Sequence, residues 1–243
     1  LAEKLKPFGY SVSYNPEFIA QGSIIRDQLQ PDQVLIGEAN EEVGNRLQGI
    51  YENLVSNTPT YCRMDSQSAE IAKLATNCFL TTKISFANSI GDLATSVGAD
   101  AEKILAAVGA DSRIGEKYLK HGFGFGGPCF PRDNRALGKY AEAKGYPLII
   151  SNATDKVNET HFEFQLQQYL KDSEAGTAVL FDGVAYKKGT SQLTESQQLR
   201  LAVALAKKGR TVIIRDSKEV AEQVEKLHPE MFKFESEFSL IGR

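Results

Sequence analysis

The feature that most constrains this chain is a proline-free run from Ala69 to about Val97. Ile71, Leu74, Ala75, Cys78, Phe79, Thr82, Phe86, Ile90 and Leu93 recur along it at helical spacing. Gly91 lies within it at a modest cost. At 1.5 Å per residue such a helix extends about 40 Å. That is too long for the interior of a small domain, so the helix is expected to link two domains or to pack against another subunit.

The segments on either side have a different rhythm. Residues 11–15 suggest a short strand ending at Pro16, Gln33–Gly37 a buried strand, and Thr60–Met64 a third. Between the last two, Asn40 is a good N-cap. A helix follows over Glu41–Val55, with Val43, Leu47, Ile50 and Leu54 at helical spacing. Beyond the long helix, Asp100 caps a helix over Ala101–Val108, and further helices are expected over Arg135–Lys144 and about Ile150–Tyr169. Strands over Thr177–Gly183 and Thr211–Arg215 then alternate with helices over Glu195–Lys208 and Lys218–Leu227. Leu199, Val203 and Ala206 share a face of the first of these helices, and Gly209 ends it. A βαβ order implies parallel sheets. The expected fold class is α/β: the end of a Rossmann-like domain (residues 1–65), a helical domain built on the long helix (66–172), and the start of a second Rossmann-like domain (173–243). The chain has no Met at its start and no Gly-rich strand–helix turn near its N-terminus, so it reads as an excerpt of something longer.

Composition excludes several functions. A formal net charge of -3 over 243 residues offers no basic surface for nucleic acid. No apolar run is long enough to span a membrane. Cys62, Cys78 and Cys129 are widely spaced, with no Cys-x-x-Cys pair, so no metal site is expected and reduced, cytoplasmic thiols are the natural reading. His121, His161 and His228 are scattered and read as ordinary polar residues.

Three places carry possible chemistry. Residues 122–133, Gly-Phe-Gly-Phe-Gly-Gly-Pro-Cys-Phe-Pro-Arg-Asp, set four glycines and two prolines around Cys129. Glycine lets the backbone approach a ligand closely, and backbone N–H groups beside a thiol can hold a developing oxyanion. Asp133 follows four residues later; a buried cysteine in a tight turn is the plain alternative. Lys73 and Asn77 lie four apart on the long helix, hence on one face. Asn15-Pro16-Glu17-Phe18 puts a carboxylate just past a strand end, where α/β folds place catalytic groups.

In this order, Asn-Pro-Glu-Phe at 15–18, Ala-Glu-Ile-Ala-Lys-Leu-Ala-Thr-Asn at 69–77 and Phe-Gly-Gly-Pro-Cys-Phe-Pro-Arg-Asp at 125–133 resemble the nucleotide-sugar 6-dehydrogenases, the family of UDP-glucose and GDP-mannose dehydrogenases. Tyr-Lys-Lys-Gly-Thr at 186–190, leading into Glu195-Ser196, resembles the turn that opens that family's C-terminal domain. The resemblance implies an NAD-binding Rossmann domain, a helical domain that forms a homodimer, and a C-terminal domain that helps hold the nucleotide sugar. It also implies that these residues alone do not turn over.

The implied reaction oxidises a UDP- or GDP-hexose to its uronic acid in two hydride transfers to NAD, through a thiohemiacetal and a thioester on Cys129. Lys73 and Asn77 would serve the oxyanion, and Glu17 or Asp133 would assist water attack. The substrate would meet Phe18, Gln21, Arg113, Tyr118, Leu119, Lys120, the backbone of Phe123, Gly124, Phe125 and Gly126, and Lys187. Arg113 would reach it across the dimer interface. Arg132 and Thr194 fall on the cofactor side. Two positions depart from the family pattern: Gln21 stands where many members have Glu, and Thr194 where many have Arg. Two alternatives use the same residues differently: a non-catalytic dimerisation module, and a dehydrogenase of 2-hydroxy acids, which would need no thiol.

Overall fold

The computed structural model describes residues 2–19, 22–172 and 177–236. They form two compact units, Leu1–Thr76 and Asn77–Arg243. In the first, β1 (Gln33–Glu38), α3 (Glu41–Leu54) and β2 (Thr60–Asp65) make one βαβ unit, preceded by short helices α1 (Ala2–Leu5) and α2 (Ile24–Leu29). β1 and β2 run parallel, in register from Gln33 with Thr60 to Glu38 with Asp65. Val34, Leu35 and Ile36 are buried, as a parallel strand covered on both faces requires. The Asn40 side chain caps α3, accepting from the Val43 N–H.

The strand expected over 11–15 is reduced to one antiparallel bridge, Tyr14 with Gly37. Asn15 spends its amide on the Leu35 carbonyl at 2.9 Å, and Pro16 has no N–H to continue a ladder. Gly37 is required at that bridge. A Cβ there would lie 2.8 Å from the Ala69 side chain and 3.0 Å from the Tyr14 carbonyl. α1 and α2, too short to show a period, were not expected.

The long helix, α4, runs Ser66–Ser96 and starts three residues before its expected beginning. Asp65, the last residue of β2, caps it: its carboxylate accepts from the Ser68 N–H at 3.0 Å and the Ser68 hydroxyl at 2.6 Å. Those bonds hold the Asp65 carboxyl below the usual range.

The second unit continues α4 and adds α5 (Ala101–Gly109), α6 (Phe130–Ala143) and α7 (Ile149–Asp172). A three-stranded parallel sheet follows, with β3 (Val179–Asp182), β4 (Val212–Asp216) and β5 (Lys233–Ser236) side by side in chain order. Two strands were expected here, and β5 completes a third. α8 (Gln197–Lys207) and α9 (Lys218–Leu227) connect them, capped by Ser196 and Ser217. The expected start of α8 at Glu195 is corrected by two residues. Its most deeply buried side chains are Leu201, Ala202 and Leu205, and Val203 and Ala206 sit at the margin. With Phe162 and Leu166 of α7, Phe181 and Ile214 of the strands, and Val220 and Val224 of α9, they form one apolar core. Among the described residues no helix is long and apolar enough to cross a membrane.

Candidate active site

The segment before Cys129 has no regular structure of its own, so its backbone must find partners elsewhere. They are side chains. Asn158 of α7 accepts from the Phe125 N–H at 2.9 Å and donates to the Phe125 carbonyl at 3.1 Å. Asn88 of α4 accepts from the Gly122 N–H at 3.0 Å. The Gly122 carbonyl accepts from Gln165 at 3.1 Å and lies 2.6 Å from Nε2 of His161. The Gly127 N–H donates to the Thr194 carbonyl at 3.0 Å, which ties the loop to the turn before α8. Two glycines make this docking possible. A Cβ on Gly126 would run into the Glu195 carbonyl, and one on Gly127, at φ +83°, into the Tyr186 ring.

Cys129 is exposed and serves as the N-cap position of α6, which begins at Phe130 rather than at the expected Arg135. Pro131 suits that first turn, where its fixed φ is helical and its missing N–H is not needed. The first-turn N–H groups of a helix have no carbonyl within the helix, so its start favours an anion placed beside it. One turn on, Asp133 is buried. It accepts from the Asn77 amide at 2.6 Å and from Arg132 Nε at 3.2 Å. The structure therefore pairs Asp133 with Asn77, one helical turn from Cys129, whose carbonyl accepts from the Asp133 N–H at 2.8 Å. Cys78, next to Asn77, is a different thiol. It is buried, its Sγ lies 3.6 Å from the Asp133 carbonyl, and burial followed by the Asp133 charge pushes it up to about 11.

In the first unit, Lys73, Glu17 and Phe18 form a second group. Lys73 Nζ donates to the Glu17 carbonyl at 2.5 Å and lies 4.1 Å from the centre of the Phe18 ring. The lysine meets the backbone of Glu17, not its carboxylate.

Residues 67–160 match the model of the UDP-glucose/GDP-mannose dehydrogenase family, central domain. Residues 2–55 match the same family's NAD binding domain. The chain belongs to the UDP-glucose/GDP-mannose dehydrogenase family. It is 37% identical over 219 residues to the UDP-glucose 6-dehydrogenase of Pseudomonas aeruginosa, covering 89% of this chain and 48% of that protein. It is 35% identical over 203 residues to a UDP-glucose 6-dehydrogenase of Bacillus subtilis, covering 83% and 46%. The solved structure of a UDP-glucose dehydrogenase from the hyperthermophilic archaeon Pyrobaculum islandicum superposes with a TM-score of 0.84 at 33% identity, over 92% of this chain and 51% of that one. The chain spans about half the length of the relatives it matches. The match to the family's NAD binding domain supports NAD as the cofactor.

The other residues singled out by the family resemblance are spread more widely. Tyr118 is exposed, holds a positive φ of 65°, and meets the Phe130 ring edge-on at 6.3 Å. Lys120 and Lys187 are exposed. Arg113 is exposed and paired with Asp111 at 2.6 Å. Leu119 is buried with Ala87 and Leu105, so its side chain serves the core. Phe125 is buried too, and Phe123 packs against the apolar core of the second unit. Gly124 leaves room for the Asn158 side chain. Gln21 lies outside the described residues. The Arg132 side chain is 69% exposed, and Thr194 is exposed and bonded to Gln192 at 2.9 Å.

Several residues of this family member carry the site without having been foreseen. Asn88 and Asn158 hold the loop, and nothing in a lone Asn on a helix announces such a role. Tyr186 packs over Gly127, and burial, then the Cys129 charge, raises its phenol. Arg135 bridges Asp155 at 3.2 Å and Glu195 at 2.9 Å, joining α6, α7 and the turn before α8; the Glu195 bond raises its already high value.

Proposed function

We propose that the full-length protein is an NAD-dependent nucleotide-sugar 6-dehydrogenase that converts a UDP- or GDP-hexose to its uronic acid, with Cys129 as the acyl-carrying thiol. The observation that carries this is the contrast between Cys129 and Cys78. Cys129 is exposed at a helix start on a loop fastened from several sides, whereas Cys78 is buried against the Asp133 carbonyl. A cysteine with only a packing role would resemble Cys78.

In this scheme NAD supplies the hydride acceptor in both oxidations, with Arg132 and Thr194 on its side of the site. Cys129 Sγ adds to the aldehyde carbon derived from the sugar's primary alcohol, forming a C–S bond, and the carbonyl oxygen takes up a proton. Loss of the hydroxyl proton together with the second hydride leaves a thioester. Water then adds to the thioester carbon, the C–S bond breaks, and the thiolate leaves with the carboxylate as product. Lys73 and Asn77 stabilise the oxyanions. Glu17 and Asp133 are the carboxylates available to assist water. Asp133 is oriented for this by the Asn77 amide. Phe18, Gln21, Arg113, Tyr118, Lys120, Lys187 and the backbone of 123–126 would form the substrate side.

The proposal includes a cytoplasmic homodimer through α4, in which residues 66–172 form the central domain, 1–65 belong to the NAD domain and 173–243 to the nucleotide-sugar domain. Exposed Phe79, Phe86 and Leu93, seven residues apart on α4, support such an interface.

The test is the second-order rate of each cysteine of the full-length protein with a thiol reagent, with and without UDP-glucose. Cys129 is expected to react fastest and to be protected by the sugar nucleotide. In Cys129→Ser, uronic acid formation should fall by about a thousandfold or more. A slow, unprotected Cys129 together with an active serine variant would overturn the proposal and favour a dimerisation module.

A further inference from the structure

Two of the three histidines, to which the proposed reaction gives no task, meet over one carboxylate. Asp92 of α4 has its Oδ1 at 3.0 Å from Nε2 of His121, and its oxygens at 2.8 and 3.0 Å from Nδ1 of His161 on α7. The three ligand atoms lie within 4.8 Å of one another. His121 sits here because residue 91 is glycine: a Cβ at that position would run into the imidazole ring.

The other nitrogen of His161 settles which atom faces the cluster. Nε2 is 2.6 Å from the Gly122 carbonyl, which can only accept, so Nε2 carries a proton. In the neutral ring that leaves the Nδ1 lone pair directed at the Asp92 carboxylate. Two acceptors facing each other need something positive between them, either a second proton on the ring or a metal ion. A ring N–H donated to a backbone carbonyl is also the usual outer partner of a metal-bound histidine.

The ligand chemistry suits the ion, and the spacing is within reach of it. Two imidazole nitrogens and one carboxylate suit a borderline divalent ion such as zinc better than magnesium or calcium. Zinc holds such donors at about 2.0–2.2 Å, so neighbouring donors of a tetrahedron stand about 3.3 Å apart. The two nitrogen–oxygen separations of 2.8–3.0 Å would open slightly on binding, and the two imidazole nitrogens, within 4.8 Å of each other, would be drawn to the same ion. His161 is 1% exposed and anchored, while the His121 and Asp92 side chains, at 27% and 16%, leave a side for water as the fourth ligand.

We propose that Asp92, His121 and His161 form a site for one zinc-class divalent ion. Through His161, that ion fastens Gly122, the first residue of the Cys129 loop, to α4 and α7. The role is one of positioning, and it stands apart from turnover.

The test is cobalt(II) titration of the 243-residue chain after chelator treatment, followed by displacement with zinc(II). One equivalent is expected, with the visible absorption of a tetrahedral nitrogen–oxygen site and no thiolate charge-transfer band. His121→Ala and Asp92→Asn should lose it, and Cys129→Ser should keep it. Far-UV circular dichroism checks folding. His121→Ala changes a partly exposed ring, so it remains informative if Asp92→Asn fails to fold. Absence of binding by the wild-type chain, or binding that survives His121→Ala, would overturn the proposal and leave a proton-bridged clamp. Binding is read without catalysis, so this failure is distinguishable from failure of the dehydrogenase proposal.

Discussion

Under β3, β4 and β5 the interior is hydrocarbon: Leu201, Ala202, Leu205, Ile214, Val220 and Val224 have no exposed surface. Around the Cys129 loop many buried side chains are polar, among them Asn77, Asn88, Asp133, Asn134, Asn158 and His161. Both regions belong to one compact unit, yet different forces hold them. The apolar core gains from burial without direction, so many packings of similar volume serve it. The polar scaffold gains only when each donor meets its acceptor, so it holds one backbone path and stores little stability beyond that. A loop that must present a thiol in a defined place is better served by the second kind of support.

Breaking the apolar side should cost the most stability and disturb the thiol least. Leu205→Ala is expected to destabilise by about 2–5 kcal/mol, measured as a lower urea midpoint. Cys129 labelling under native conditions should be unchanged, and an altered rate would mean that the two regions are not separable.

Breaking the polar side should do the reverse. Asn158→Ala strips both amide bonds from the Phe125 backbone and leaves a buried N–H and C=O unpaired. A cost of about 2 kcal/mol is expected, with a larger effect on the loop than on the fold. Protection of Cys129 by UDP-glucose should fall in the full-length protein. Asn158→Asp, which keeps the acceptor and loses the donor, should recover part of it. Full protection in Asn158→Ala would show that the glycine contacts alone hold the loop.

The smallest effect separates the two thiols. Cys78 is pushed up from 9.0 to about 11, so the native state favours its neutral form. The stability this contributes is fully present below the unfolded value and is lost as pH rises through about 11. Comparing urea midpoints near about pH 8 and about pH 10.5, the wild-type chain should lose more than Cys78→Ala. Equal losses would place the alkaline sensitivity elsewhere.

The helices were legible where caps and periodicity agreed. Asn40, Asp100 and Gly209 end or begin elements where their residue types require it. The segment at 11–15 misled because alternation implies a strand only if a neighbour offers a free edge, and Asn15 and Pro16 end the pairing after one bridge. The start of α6 was hidden by prolines, which read as loop until Pro131 proves to lie in a first turn. The cysteine loop stood out by composition. The residues that fasten it did not, since Asn88, Asn158 and Asp92 sit on helices far away along the chain.

The alternation of strands and helices, the long helix and the singular setting of Cys129 follow from local propensity and from spacing within a few residues. The pairing of Asp133 with Asn77, the hanging of the loop on amides from two helices, and the convergence of His121 and His161 on Asp92 arise from the packed chain. Those pairings join residues tens of positions apart. A hydrogen bond forms only where the whole chain's packing delivers both partners to within about 3 Å, and no local pattern encodes that meeting.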